Sequence, residues 1–275
     1  MPELPETETI SADLDRVISG ACITSVTVTR PDVLRETTPK RFAARLAGAT
    51  VLRCWRRAKM IVLDLSSTDH LVVHLRFTGA LLVDDGTLST DERRYSTMAI
   101  ELADGRLLHF RDVRRLGTVT LMSAERFRAC SAALGVEPLT RAFTATRLLE
   151  ILQASSSAVK KVIMDQRRIA GIGNIYANEA LWRAGIDPSR AARRVTPPEA
   201  ELLRDAIVAV LREAIAARGT SLRDYRDANG ERGTFGRVLN VYGRERLPCL
   251  RCGARLVGTH AIDGRATVLC VHCQR

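Results

Sequence analysis

Residues 3–19 place Leu4, Ile10, Leu14, Val17 and Ile18 loosely on one helical face, with Gly20 as a stop, so the spacing predicts a helix. Short β-branched or alternating runs follow at 23–29, 51–55, 60–65, 71–75, 80–83, 98–102, 107–110 and 118–122. Asp85-Gly86 and Asp104-Gly105 mark turns between them. Eight strands at this spacing predict a β-sandwich or barrel behind a leading helix.

Beyond residue 123 the period becomes helical. Helices are expected near 144–153, 158–168 and 175–184, with Ser155-Ser156-Ser157 as a hinge and Gly171-Ile-Gly-Asn174 between the second and third. Thr196-Pro-Pro-Glu199 opens a helix that runs to Arg218 before Gly219. Residues 226–237, rich in Gly, Arg and Asp, read as a loop.

Composition narrows the class. Hydrophobic residues are 46% of the 275, which supplies a core and excludes general disorder. No apolar run approaches the roughly 18 residues of a membrane helix. The acidic start Met1-Pro-Glu-Leu-Pro-Glu6 lacks the features of a secretory signal, so a cytoplasmic protein is expected. The net charge of +11 points to a polyanionic partner, and +9 of it falls after residue 152. Only Lys40, Lys59, Lys160 and Lys161 are lysines, against 38 arginines.

Cys249-x-x-Cys252 and Cys270-x-x-Cys273, separated by 17 residues, have the spacing of a four-cysteine zinc ribbon. Four thiolates close the coordination shell, so one Zn2+ there would be structural. Cys22, Cys54 and Cys130 are scattered and read as core residues, and His260 and His272 as surface residues. The glycine turn at 171–174 lets a backbone approach a phosphate, though the same turn serves packing. If Met1 is removed, Pro2 carries a secondary amine at a helix N-terminus, where the dipole favours its neutral, nucleophilic form. Glu3 stands beside it to move protons, and Glu6 lies one turn on. Pro and Glu are also ordinary first-turn residues, so this segment alone leaves both readings open.

Together these pieces resemble the formamidopyrimidine-DNA glycosylases, with endonuclease VIII as the sister group. The shared motifs are Met1-Pro-Glu-Leu-Pro-Glu6, Arg56-Arg-Ala-Lys59, His74-Leu-x-x-x-Gly79, Asp112-x-Arg-Arg-x-Gly117, Gly171-Ile-Gly-Asn-Ile-Tyr-Ala177, Val241-Tyr-Gly-Arg244 and the cysteine ribbon with Arg265-Ala-Thr267. They occur in the family's order across essentially the whole chain, and Leu4 sides with the formamidopyrimidine branch. The resemblance implies an α+β multidomain fold: a helix-capped β-sandwich at 1–123, a linker at 124–154, a helix-two-turn-helix domain with a lesion-capping loop at 155–243, and a four-cysteine zinc finger at 244–275. It implies a monomeric, nucleoid-associated glycosylase and AP lyase of base excision repair, acting on damaged double-stranded DNA held between the domains. The damaged nucleotide is flipped out, Pro2 attacks C1′, and β,δ-elimination follows.

By match, Glu3 opens the sugar ring, Lys59 donates the proton for β-elimination, and Arg265 holds the phosphate in δ-elimination. Lysine suits that task better than guanidinium, which surrenders no proton. His74, Lys160, Asn174 and Tyr242 match backbone clamps, and Tyr95 stands in a segment where the family carries His-x-His. Phe77, Arg114 and Leu116 match the residues that fill the hole left by the flipped base, where the family has Met, Arg and Phe. Arg114 is kept, so reading of the opposite base, typically cytosine, is expected. The loop over the lesion reads Asn229-Gly-Glu-Arg-Gly233. Oxidised purines are the expected substrates; the altered wedge and loop leave open another lesion or a non-catalytic lesion binder.

Overall fold

A computed structural model of the chain describes residues 2–221, 227–228 and 230–275; Met1 and, in the 226–237 loop, residues 226 and 229 lie outside them. The Cα atoms pack as two units: Met1–Ala132 with Ala217–Thr234, and Ala133–Ala216 with Phe235–Arg275.

The first unit opens with α1 (Leu4–Ile18), which carries a proline in its first turn and a capping box in which the Glu3 N–H donates to Glu6 Oε2 at 2.7 Å. At its far end Arg106 Nη1 donates to the Val17 carbonyl, one of the acceptors that a helix terminus leaves over. The strands β1 (Ile23–Val28), β2 (Leu34–Arg35), β3 (Val51–Arg57), β4 (Met60–Leu65), β5 (His70–His74), β6 (Gly79–Asp84), β7 (Ser96–Leu102), β8 (Leu107–Asp112) and β9 (Thr118–Met122) form two sheets, ordered β1-β7-β8-β6 and β2-β9-β5-β4-β3. Two sheets rather than one closed barrel make this a sandwich.

Ile10, Leu14 and Ile18 of α1 join Ile61, Leu63, Val73, Leu81, Ile100, Phe110 and Val119 from the strands in one core. The short helices α2 (Pro39–Leu46), α3 (Thr90–Arg94) and α4 (Ala124–Ala132) were not legible as periodicity. In α2 only Phe42 and Leu46 are buried, too few positions to print a 3.6-residue stripe, and the start is set instead by Thr38, whose hydroxyl accepts the Arg41 N–H.

The second unit holds α5 (Ala145–Gln153), α6 (Val159–Met164), α7 (Asn174–Ala184) and α8 (Pro197–Ala216), then a hairpin of β10 (Val257–Thr259) and β11 (Thr267–Leu269). The helix expected at 158–168 ends at Met164. Asp165 Oδ1 accepts the Arg167 N–H, and the Asp165 carbonyl accepts from Arg168 and Ile169, so the chain folds into a turn. Gln166 then braces that turn: its amide donates to the Met164 and Ile172 carbonyls and its oxygen accepts the Gly171 N–H. Among the described residues no helix is long and apolar enough to cross a membrane.

Candidate active site

Pro2 and Glu3 are buried immediately before α1, with Glu3 only 2% exposed. The β3–β4 hairpin turn that carries Lys59 is fastened to the same helix. Arg56 reaches Glu8 on α1 with an Nε–Oε2 distance of 2.6 Å and donates from Nη1 to the Ala58 carbonyl, closing the turn in which Ala58 takes a φ of +54°. Lys59 is 6% exposed, a burial unusual for a lysine that carries no task. Its neighbour in the sheet, Met60, pairs with His74 at the end of β5.

Burial first, and then the charges of Arg76 and Lys59, hold the His74 imidazolium down to about 4. His74 is therefore neutral near pH 7. The Arg76 N–H donates to Nδ1 at 3.3 Å, which leaves the ring proton on Nε2. His74 is thus a neutral hydrogen-bond donor beside an ammonium group.

The three wedge candidates stand on two adjoining turns. Phe77 is 49% and Leu116 44% exposed, and the Arg114 guanidinium lies 5.2 Å from the Phe77 ring centroid. Asp112 builds this arrangement: one carboxylate oxygen accepts from the Thr78 hydroxyl and the Arg114 N–H, and the other accepts the Gly117 N–H at 2.7 Å. A Cβ on Gly79 would meet the Leu75 carbonyl oxygen at 2.4 Å and one on Gly117 the buried Phe110 ring at Cζ, 2.6 Å, so backbone crowding requires the first motif glycine and ring packing the second. Exposed apolar side chains on such braced turns have the form of wedges that unstack a base step.

Tyr95 borders a cleft of about 580 Å3 lined also by Arg30, Arg94 and Arg115, with Arg94 and Arg111 set over its ring at 5.7 and 5.5 Å. The surface here is cationic and aromatic.

In the second unit Lys160 has no exposed surface; its ammonium donates to the Ala266 carbonyl at 3.0 Å and to Thr267 Oγ1 at 2.7 Å. Asn174 and Asn178 also donate to Ala266, and the Asn178 oxygen accepts the Val268 N–H. The expected backbone clamp Lys160 is thus placed as an internal strut that fixes the hairpin carrying Arg265. Arg265 is exposed, with Asp263 3.6 Å away, and borders a cleft of about 420 Å3 that includes Lys161, Arg167 and Arg168. Tyr242 is half-buried. Its loop is held by Glu179, which is fully buried and accepts the backbone N–H groups of Asn240, Val241 and Tyr242, all at 2.9 Å, and the Asn240 side-chain amide.

The four cysteines converge: all four sulfurs lie within 4.8 Å of one another. A tetrahedral Zn–S shell of about 2.3 Å radius needs sulfurs roughly 3.8 Å apart, so the set fits one Zn2+. Burial alone would raise the Cys249 thiol, yet the N–H groups of Arg251 and Cys252 aimed at its sulfur bring it down, to about 6. The knuckles are seated on α7 through Trp182, Val241, Cys249, Leu256, Val268 and Cys270. Arg251 lies 4.5 Å over the Trp182 ring.

Sequence reasoning missed Asp13, Asn178, Glu179, Arg218 and Asp227. Glu179 had a visible signal, an acid in the apolar run of 175–182. The others had none: Asp13 meets Arg218 across 205 residues and Asn178 meets Val268 across 90, and Asp227 shares the same guanidinium.

Residues 1–119 match the family profile described as the formamidopyrimidine-DNA glycosylase N-terminal domain, and residues 134–226 that of the formamidopyrimidine-DNA glycosylase H2TH domain. The chain is 44% identical over 278 residues to the formamidopyrimidine-DNA glycosylase of Roseiflexus sp., covering 100% of both, and 41% identical to that of Desulfitobacterium hafniense over 276 residues, again covering both completely. The MutM (Fpg) protein of Thermus thermophilus superposes with a TM-score of 0.87 at 35% identity, over 99% of this chain and 98% of that one. The Lactococcus lactis Fpg in complex with DNA containing N7-benzyl-Fapy-dG does so with a TM-score of 0.90 at 31% identity over all of both chains. Profile matches over residues 1–119 and 134–226, identity of 44% over the full length and a converging four-cysteine cluster make the chain a member of the formamidopyrimidine-DNA glycosylase family of DNA repair enzymes.

Proposed function

We propose that the protein is a bifunctional glycosylase and AP lyase that removes oxidised purines, formamidopyrimidines and 8-oxoguanine, from duplex DNA. The observation that carries this is the buried Pro2-Glu3 pair at the start of α1, tied through Glu8 and Arg56 to the turn of Lys59. After loss of Met1, the Pro2 amine attacks C1′ as the glycosidic bond breaks and the base departs with a proton. Glu3 protonates the ring oxygen, which opens the sugar to the iminium. The iminium acidifies C2′: its proton passes to water, the C–H pair forms the C2′=C3′ double bond, and the 3′-phosphate leaves with a proton from Lys59. Loss of the C4′ proton to water then expels the 5′-phosphate held by Arg265, and water hydrolyses the iminium to free Pro2. Neutral His74, with Asn174, Tyr95 and Tyr242, holds the backbone by hydrogen bonds, while Phe77, Arg114 and Leu116 enter the stack. Cys249, Cys252, Cys270 and Cys273 would hold Zn2+, which would stiffen the Arg265 hairpin, four thiolates leaving no open position for a substrate atom.

Duplexes with single defined lesions, and abasic DNA as control, test this reading. Excision of 8-oxoguanine or a formamidopyrimidine opposite cytosine, with cleavage on both sides of the sugar, is expected; abasic cleavage without either excision would overturn the substrate assignment.

A further inference from the structure

Arg218 is a non-glycine residue with a φ of +58°, followed by Gly219 at +87°, a pair of left-handed residues that reverse the chain. An arginine in that conformation is strained, and its side chain accounts for its presence. The guanidinium is shared between two carboxylates that are almost wholly buried, Asp13 on α1 and Asp227, whose side chains are 2% and 1% exposed. Nη2 donates to both, Nε donates to Asp227 Oδ2 at 2.8 Å, and Nη1 lies 3.4 Å from Asp13 Oδ1. Arg16 adds a second cation to Asp13 at 3.2 Å. Buried carboxylates require such partners.

On the far side of this cluster, Asp227, Gly230 and Glu231 are joined by hydrogen bonds. Asp227 donates its N–H to the Glu231 carbonyl and accepts from Gly230 at its own carbonyl, while its Oδ1 accepts the Glu231 N–H at 2.9 Å. Ala228 is buried in the sandwich core. Residues 219–221 and 233–234 are joined by a bridge between Thr220 and Thr234 and by the Gly233 N–H donating to Ser221 Oγ. They pack so tightly that a Cβ on Gly233 would meet the Gly219 carbonyl oxygen at 2.3 Å. Glu6, in the first turn of α1, receives the Thr220 N–H on Oε1.

We propose that Arg218 is a positioning residue for base excision: shared between Asp13 and Asp227, it registers the described loop residues, 227–228 and 230–233, against the helix that begins with Pro2 and Glu3. This rests on the proposed function and on the resemblance that sets this loop over the lesion. An abasic site offers the loop nothing to hold, so the register matters for removing a base and not for nicking a sugar that has already lost one.

The test compares Arg218→Met, Arg218→Lys and the charge-balanced triple variant Asp13→Asn, Arg218→Met, Asp227→Asn. Single-turnover excision of a formamidopyrimidine or 8-oxoguanine is expected to fall at least about tenfold in Arg218→Met and in the triple variant, with cleavage of preformed abasic DNA within about threefold of wild type and partial recovery in Arg218→Lys. Equal losses on both substrates, or no loss on either, would overturn the proposal. The triple variant removes all three charges of the described cluster together, so a defect shared with Arg218→Met is a defect of register. Amide exchange gives a reading independent of activity: Thr220, Gly230 and Glu231 should exchange faster in both variants, and unchanged protection would also overturn it. Wild-type protein that neither excises a base nor cuts abasic DNA would instead refute the proposed function, and the exchange result would still decide whether Arg218 holds the loop.

Discussion

Glu6 Oε1 accepts the backbone N–H of Thr220 at 2.7 Å across 214 residues of sequence, while its Oε2 caps the Glu3 N–H. One buried carboxylate therefore sets both the start of α1 and the place of Thr220, which bridges to Thr234. Glu6→Gln puts an amide donor where two N–H groups each need an acceptor. It is expected to cost about 1–3 kcal/mol of stability and to slow base excision more than abasic cleavage. Thermal unfolding and single-turnover rates check this; a Gln variant with wild-type stability would mean that the two bonds do not matter together.

The histidines make stability depend on pH. Burial lowers His109 as it does His74, against the opposing pull of Asp84 on His109. Below about 6.5 the unfolded chain takes up protons that these folded imidazoles resist, so the unfolded state binds more protons and stability falls as pH drops. For His74 the loss runs from about 6.5 down to about 4 and then levels off. It amounts to roughly 3 kcal/mol, about 1.4 for each pH unit between those two values. His74→Gln should flatten that part of the denaturation profile between pH 7.5 and 4.5, whereas an unchanged slope would show that His74 protonates freely in the folded protein.

Lys160 allows a sharp separation of strut from clamp. A lysine on a phosphate would contribute about 0.9 to the slope of log affinity against log salt. Because the Lys160 ammonium is spent on Ala266 and Thr267, Lys160→Met should leave the slope unchanged while loosening the Arg265 hairpin. Salt titrations of binding to a duplex with a non-cleavable abasic analogue read the slope, and a fall of about one unit would return Lys160 to the DNA surface.

The contrast between Lys160 and Glu179 shows what the linear chain reveals. Strands announced themselves through alternation, and the paired cysteines through spacing, because those signals are local. The glycines of the 74–79 and 112–117 motifs were visible as residues, but the crowding against Leu75 and Phe110 that demands them arises only when two turns meet. Lys160 read as a surface cation because charge in a sequence carries no direction; its buried partners come from a hairpin about 106 residues later. Asp13, Arg218 and Asp227 look like three ordinary surface charges until the fold brings them into one cluster. A residue-type argument finds chemistry, whereas the packing that aims it depends on long-range pairs.

The cysteine cluster should hold one zinc per chain, with the hairpin as its dependent part. Cys252→Ala is expected to lower metal content and weaken DNA binding by about tenfold or more, while leaving the sandwich core folded, since Ile61, Val73 and Phe110 pack in the other unit. Metal analysis, binding titration and amide exchange in β4, β5 and β8 check this together; full DNA affinity without metal would remove the ribbon from the binding surface.

The central claim is that the Pro2 amine forms the covalent intermediate. Borohydride reduction of the protein with abasic DNA, followed by peptide mapping of the adduct, tests it most directly. The account predicts a trapped complex in good yield, attached at Pro2 in protein that has lost Met1. No adduct from such protein, or one attached at Lys59 with Pro2 unmodified, would contradict it.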